Sequence, residues 1–195
     1  MQALLVLAHP DPNSFNHALA QRAKTTLEAN GHTVHLLDLN RLGFAAAMSA
    51  DERRAYHSEQ PLLDPLVAEH ARLVKECEAL VFIYPTWWSA MPAILKGWLD
   101  RVLVPGVGFG FDEDGKVVPG LGHVRHLIGI STYGSPRLYV RLMNDNGWRT
   151  VMRTLRLNTG LRTRARWYGF YAIDTATEAR RTAFLDRVGK KLGAL

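Results

Sequence analysis

The stretch that decides the fold is LLVLAHPDPNSFNHALA, residues 4–20. It begins with an apolar run, Leu4 to Ala8, and such a run is typical of a strand buried on both faces of a parallel sheet. His9 ends the run, and prolines and small polar residues follow. From Phe15 onward apolar residues recur every three or four positions, which predicts an amphipathic helix. The polar turn therefore lies where an anion would meet the free N–H groups of a helix N-terminus.

The rest of the chain repeats this alternation of apolar runs and helical patterns. Further strands are predicted at 33–39, 79–84, 126–131 and 166–173, and helices at 15–30, 65–78, 92–104 and 178–192. Parallel strands that alternate with helices are joined by right-handed crossovers, so helices cover both faces of the sheet. The sequence predicts one α/β domain over residues 1–195, a doubly wound sandwich of about five parallel strands in the order 2-1-3-4-5.

Composition argues against disulfide-stabilised, secreted and membrane-spanning proteins. The 195 residues are 47% apolar and 22% charged, which is ordinary for a globular chain that folds without disulfides or metals. Cys77 is the only cysteine, no signal peptide is recognised, and no apolar stretch approaches the ~20 residues of a membrane span. We therefore expect a cytoplasmic protein without membrane insertion.

Motifs for several chemistries are missing from the sequence. It contains neither G-x-G-x-x-G nor the P-loop pattern, and it also lacks G-x-S-x-G, H-E-x-x-H and paired cysteines. No metal site and no side-chain nucleophile are predicted.

The formal charge of +6 is unevenly distributed. Between Arg137 and Arg166 there are eight arginines and one acidic residue, Asp145. This segment is either a solvated basic face or a surface that attracts anionic small molecules. Nucleic acid is not expected as a partner, because no recognition motif accompanies the charge. The segment 106–122 holds six glycines and is either a flexible surface loop or part of a site.

Three loops follow predicted neighbouring strands at their C-terminal ends, where open parallel sheets bind ligands. They are HPDPNSFN (9–16), YPTWWSAMP (84–92) and STYGSPRLY (131–139). In the first loop, small polar residues either cap the helix or donate hydrogen bonds to an anion. In the second loop, the two adjacent tryptophans allow three alternatives: they pack under a loop, form a subunit interface or flank a planar ligand. The third offers hydroxyl and backbone donors that suit a heterocycle.

The loops resemble those of the flavodoxin-like NAD(P)H:quinone oxidoreductases, the DT-diaphorase family, which also includes FMN-bearing ancillary subunits of potassium-efflux systems. The resemblance covers about residues 2–140 and is carried by AHPDPNSFNHALA, DLNRLGF and YPTWWSAMPAILKGWLDRV. It implies FAD as cofactor, with FMN as the alternative, NAD(P)H as co-substrate, a quinone or similar acceptor, and a homodimer. Two other readings are a flavodoxin-type electron carrier and a flavin-binding regulatory subunit of a membrane transporter.

The resemblance also implies a role for individual positions. Residues matching those that hold the flavin phosphates are His9, Asn13, Phe15 and Asn16, and Ser14 between them is included in the predicted cofactor site. Residues matching the loop along the flavin ring are Pro85, Thr86, Trp87, Trp88 and Ser89. Residues matching the loop at the pyrimidine end of the ring are Ser131, Thr132 and Gly134, and Tyr133 between them is included in the predicted cofactor site. Tyr139 matches the catalytic tyrosine that hydrogen-bonds flavin or substrate.

Three positions depart from the family pattern. Asp145 stands where the pattern has a histidine six residues after the catalytic tyrosine, so a tyrosine–histidine relay is not expected. Tyr133 replaces a glycine, and its ring is expected to narrow or cover the site. Ser89 replaces an aromatic residue of the quinone pocket.

Overall fold

The computed structural model describes residues 1–160 and 162–195. Its strands are β1 (Gln2–Leu7), β2 (Thr33–Asp38), β3 (Ala79–Pro85), β4 (Phe109–Phe111), β5 (Val117–Pro119), β6 (His126–Thr132) and β7 (Arg164–Phe170). Five of them form a parallel sheet in the order β2-β1-β3-β6-β7. This is the predicted 2-1-3-4-5 order, which is thereby confirmed. The glycine-rich segment contains an antiparallel hairpin of β4 and β5.

Strand boundaries follow the burial of the chain. Every residue of β3 and β6 is buried, as expected for central strands that are apolar on both faces. The last strand was predicted at 166–173 but ends earlier, at Phe170, whose carbonyl accepts the last ladder bond from the Tyr133 N–H at 2.8 Å. Ala172 then adopts a left-handed φ of 54° and turns the chain away from the sheet.

The helices are α1 (Phe15–Ala29), α2 (Ala50–Ala55), α3 (Pro65–Glu76), α4 (Ala93–Val102), α5 (Arg137–Leu142), α6 (Asn146–Arg149), α7 (Arg156–Thr159) and α8 (Glu178–Leu192). A π-helical segment, Thr150–Leu155, joins α6 to α7. Helices α1 and α8 pack on one face of the sheet, while α3, α4 and the π-helical segment pack on the other. Within the described ranges, no helix combines the length and apolar content needed to span a membrane.

A buried ion-pair network fixes α4, the helix that follows the tryptophan loop. The Arg101 guanidinium donates to Glu52 Oε1 at 2.6 and 2.8 Å and to Asp64 Oδ2 at 2.8 Å. The hydrogen bond from Arg101 holds the pKa of Asp64 below its ordinary value. Because Arg101 and Glu52 are buried, removing Arg101 would leave the Glu52 carboxylate uncompensated, so the network ties α2 and the start of α3 to α4.

Candidate functional site

The three predicted loops meet at the C-terminal edge of the sheet, and Thr132 joins them. The Asn16 side chain in the first loop donates from Nδ2 to Thr132 Oγ1 at 3.0 Å. The Thr86 N–H in the second loop donates to the Thr132 carbonyl at 2.7 Å. The Thr86 and Ser131 hydroxyls are hydrogen-bonded at 2.9 Å. One buried threonine at the end of β6 therefore sets the relative positions of all three loops.

The first loop forms the N-terminus of α1. Ser14 is the N-cap, and its Oγ accepts from the His17 N–H at 3.3 Å, so the capping alternative holds for Ser14. Asn13 is exposed, and its N–H donates to Asp11 Oδ1 at 2.9 Å. The next two N–H groups, of Phe15 and Asn16, belong to the first turn, where a helix provides no acceptor of its own. These N–H groups lie at the N-terminus of α1, which is the positive end of the helix dipole and favours an anion.

His9 lies half-buried beside this helix end. The Asp11 N–H donates to His9 Nδ1 at 3.1 Å, and burial lowers the pKa of His9. A neutral ring that accepts at Nδ1 carries its proton on Nε2. His9 therefore has a donor to offer a ligand, and an anion bound there would raise its pKa again.

Phe15 and Asn16 contribute in different ways. The Phe15 ring packs against Phe170 and Phe184 with centroid separations of 5.2 and 6.3 Å, so its side chain belongs to the core between α1 and α8. Only the Phe15 backbone lies in the loop. The Asn16 side chain is 2% exposed, and its Oδ1 has no partner among the described residues. A buried acceptor without a partner is costly and indicates a missing donor.

The tryptophan loop is a tight turn with an uncommon backbone. Trp87 and Ala90 exchange two backbone hydrogen bonds at 3.0 Å, and the central residues Trp88 and Ser89 have φ of 50° and 57°. Left-handed φ at both central positions defines a type I′ turn, which normally carries asparagine or glycine. The Asn146 N–H donates to the Ser89 carbonyl at 2.9 Å and braces the turn. Backbone strain of this kind is concentrated at functional sites.

The turn presents both indole rings to the surface. Trp88 is 100% exposed and Trp87 46% exposed, and the Trp87 ring lies 6.0 Å from the His9 ring. Of the three alternatives from the sequence, packing under a loop is therefore excluded, while an interface and a planar ligand remain.

Tyr133, in the third loop, does not line an open site. Its ring is 1% exposed and stacks on Tyr171 at 4.6 Å, and its hydroxyl donates to Asp145 Oδ2 at 2.7 Å. Its N–H and carbonyl pair with Phe170 and Ile173. The expectation that this ring narrows or covers the site is therefore corrected: burial against Tyr171 takes it below the surface. Gly134, the next residue, is exposed.

Asp145, at the position of the family histidine, serves the local structure. It caps α6 by accepting from the Trp148 N–H at 3.0 Å on Oδ1, while Oδ2 accepts from Tyr133. The buried Tyr84 hydroxyl lies nearby without a partner among the described residues, and a Cβ on Gly147 would come within 2.8 Å of it. Desolvation raises the pKa of Tyr84, so this phenol stays protonated. Sequence reasoning missed Tyr84 because an aromatic residue in a buried strand looks like ordinary core.

Tyr139, the predicted catalytic residue, lies on α5 and is 53% exposed. Its apolar neighbours on the short helix are also exposed, including Leu138 and Leu142 at 70% each. Helix α5 has no buried residue, so nothing in the described chain covers its apolar face. Across the described ranges, no cluster of three or more His, Cys, Asp or Glu side chains could hold a metal ion.

Comparison with known proteins agrees with this architecture. A family model described as flavodoxin-like fold matches residues 1–192. The chain is 33% identical over 128 residues to ribosyldihydronicotinamide dehydrogenase-like protein traD of Penicillium crustosum, covering 58% of this chain but only 48% of that protein. It is 33% identical over 158 residues to ribosyldihydronicotinamide dehydrogenase [quinone] of Rattus norvegicus, covering 72% of this chain and 67% of the relative. The chain thus spans about half to two thirds of these relatives.

Solved structures share the fold over the whole chain. Smu.1420 from Streptococcus mutans superposes with a TM-score of 0.87 at 26% identity, covering 100% of both chains. An FMN-dependent NADH-azoreductase from Bacillus anthracis, solved in complex with FMN, has a TM-score of 0.73 at 15% identity over 99% of this chain and 96% of that one, which shows the fold alone. The family model and the rat relative show that the chain belongs to the flavodoxin-like family that includes the quinone dehydrogenases.

Proposed function

We propose that the chain is a flavin-dependent NAD(P)H:quinone oxidoreductase that works by a ping-pong sequence, with NAD(P)H and the acceptor using the same pocket in turn. The observation that carries the proposal is the convergence of three loops on Thr132 beside a strained turn with exposed indole rings. The names of the relatives support a quinone as the acceptor. When bound, a flavin supplies the two-electron redox chemistry, and the protein contributes binding, orientation and electrostatics.

The first loop fits a phosphate and the polyol chain attached to it. His9 Nε2, the Asn13 side chain and the first-turn N–H groups of Phe15 and Asn16 are donors for phosphate oxygens. Asn16 Oδ1 is a buried acceptor that a ligand hydroxyl would satisfy. Ser14 supports these donors by fixing the start of α1.

The second and third loops fit a planar ring system. The turn formed by Trp87, Trp88 and Ser89 would lie along one side of the ring, and Pro85 ends the strand that carries this turn. Thr86, Ser131 and Gly134 would contribute hydroxyl or backbone groups at the ring edge. FAD is the proposed cofactor and FMN the alternative, which the azoreductase complex illustrates for this fold.

On the acceptor side, we assign the donor role to Tyr139. Its exposed hydroxyl would donate to a carbonyl oxygen of the acceptor, where negative charge develops during reduction. At the position of the family histidine this chain has Asp145, so no imidazole is present there. Its carboxylate accepts from Tyr133 and Trp148 instead.

A homodimer is part of the proposal. The exposed apolar face of α5 would be covered by a second copy. Light scattering during gel filtration tests this with Leu142→Asp, which should give monomers, and with Leu157→Asp as control, because Leu157 is 76% exposed on α7. A cytoplasmic location stays a prediction that rests on a single cysteine, Cys77, which is buried and free.

The decisive experiment is to purify the protein and identify the flavin released on denaturation. We expect one FAD or FMN per chain and rapid NAD(P)H oxidation that depends on added benzoquinone. Stoichiometric flavin without NAD(P)H oxidation would instead indicate an electron carrier or a regulatory flavin subunit. A protein that takes up neither FAD nor FMN in a titration would overturn the proposal.

A further inference from the structure

A groove of about 1310 Å³ runs along the outer edge of β7, on the side away from β6. One wall is the segment 137–153 on one face of the sheet, and the other wall is α8 on the opposite face. None of the residues proposed to contact flavin or acceptor lines this groove. It is therefore a second surface, separate from the proposed oxidoreductase site.

The groove is strongly cationic on both walls. The first wall carries Arg137, Arg141, Arg149 and Arg153, and α8 adds Arg180, Arg187 and Lys191. The carboxylate among the lining residues is Asp145, which already accepts hydrogen bonds from Tyr133 and Trp148. Seven cations against one carboxylate give the groove a formal charge of +6, which equals the formal charge of the whole chain.

In the part of the chain that the structure describes, carboxylates do not offset the charge of these cations. Within the described ranges, none of the seven forms an ion pair with an aspartate or glutamate. Arg180 donates to the Tyr171 carbonyl at 3.0 Å and Arg149 donates to Asn144 Oδ1, while the remaining five side chains are exposed. Like charges that share one groove repel each other, so an anionic occupant would be attracted from a distance and held.

The floor of the groove is an unpaired strand edge. In β7 the Arg164 N–H donates to Arg125 and the Phe170 carbonyl accepts from Tyr133, both on the β6 side. Since neighbouring residues of a strand direct their N–H and carbonyl groups to opposite edges, Trp167 and Gly169 direct theirs into the groove. Both residues line it. Free edge groups of this kind pair with an added extended segment.

Geometry and charge together specify the occupant. A segment added to β7 would project successive side chains to opposite faces of the sheet. One set would meet the arginines of the first wall and the other set would meet α8. We propose that this groove binds an extended acidic polypeptide segment of a partner protein, by strand addition to β7 with carboxylates on both of its faces.

Single-stranded nucleic acid, the other polyanion, fits less well. Base stacking requires free aromatic faces. Here Arg153 lies over the Trp148 ring at 5.5 Å, and Arg187 lies over the Phe184 ring at 4.8 Å. Phe184 is also buried. A second copy of this chain is disfavoured at the same edge, because two cationic grooves would face each other.

The test measures fluorescence anisotropy of the purified holoprotein at low salt with labelled octaglutamate. The second probe is octaglutamate with N-methyl groups on two adjacent central amides. It keeps the charge of the first probe but lacks one N–H donor on each edge of the extended peptide. We expect saturable binding of octaglutamate and about tenfold weaker binding of the methylated probe. The paired reversals R141E/R153E and R187E/K191E should each weaken octaglutamate binding about tenfold. Lys190→Glu is the matched control, because Lys190 is exposed on α8 outside the groove, and its effect should stay below about twofold.

Several results would overturn the proposal. Equal affinity for the methylated probe would mean that only charge is recognised. Tighter binding of an eight-nucleotide oligo-dT than of octaglutamate would indicate nucleic acid. Absence of saturable octaglutamate binding, or reversals no stronger than Lys190→Glu, would mean that the cations only keep the β7 edge from pairing.

Discussion

Replacing Trp88 with asparagine should stabilise the apoprotein and weaken flavin binding. Trp88 holds a left-handed φ of 50° at a position where a type I′ turn favours asparagine. Its side chain is 100% exposed, so folding gains nothing from burying the indole. Left-handed backbone costs a bulky L-residue roughly 1–2 kcal/mol, and asparagine less. The free energy of unfolding should therefore rise by about 0.5–1 kcal/mol.

Flavin affinity should change in the opposite direction. Stacking between aromatic groups contributes about 0.5–1.5 kcal/mol beyond area burial. Loss of the Trp88 ring should then raise the flavin Kd roughly 2- to 13-fold. Urea unfolding of the apoprotein gives the first quantity, and quenching of flavin fluorescence on titration gives the second.

Ser89→Gly is the matched control for this experiment. Ser89 has a φ of 57°, so glycine relaxes the same turn while both indole rings stay in place. Stability should change little or rise slightly, and the flavin Kd should stay within about twofold. The reasoning is refuted if Trp88→Asn destabilises the apoprotein, or if its flavin Kd matches that of the unmodified protein.

Three further predictions concern the site and the core. Changing His9 and Asn16 together to Ala should weaken flavin binding by about one to two decades while urea unfolding still shows a folded apoprotein; unchanged affinity would assign both residues to structure alone. Tyr139→Phe should slow reoxidation by quinone about 10²-fold and reduction by NAD(P)H much less, measured by stopped flow; equal slowing of both would place this hydroxyl on the flavin instead. His70 is buried and accepts from Trp98 Nε1–H at 3.2 Å, and desolvation lowers its pKa. The unfolded chain therefore binds more protons than the folded chain below pH 6.5. The free energy of unfolding should fall as the pH drops below that value. His70→Gln should show a shallower loss in urea unfolding between pH 8 and 5, and an unaltered slope would exclude His70 as the cause.

The sheet could be predicted from the sequence because its central strands contain continuous apolar runs, residues 79–84 in β3 and 127–130 in β6. β3 and β6 are buried at every position, so their pattern has one physical explanation. The edge strand was harder, because the half-buried residues of β7 continue into the equally mixed stretch that follows. The predicted end at Ile173 was wrong, because Ala172 adopts a left-handed backbone that turns the chain away from the sheet. The sequence has no glycine at this position to indicate the turn.

Parts of the candidate site depend on contacts that sequence patterns do not record. The buried pairing of Arg101 with Glu52 joins residues 49 positions apart, and neither spacing nor composition indicates it. The left-handed turn at Trp88 and Ser89 lacks the glycine or asparagine that would predict it. The burial of Tyr133 depends on its stacking on Tyr171 and its hydrogen bond to Asp145, contacts that no spacing in the sequence indicates.

Asp145 and Asn146 brace the tryptophan turn although they lie beyond residues 2–140, the part of the chain that carries the motif resemblance. Asp145 accepts from the buried Tyr133, which directly follows Thr132, where the three loops are joined. Its neighbour Asn146 donates to the Ser89 carbonyl and so braces the strained turn. A turn held in a costly conformation persists only if its surroundings fix it, and here two consecutive residues connect it to the end of β6. Substitutions near Asp145 should therefore alter ligand binding through the turn, even where they contact neither flavin nor acceptor.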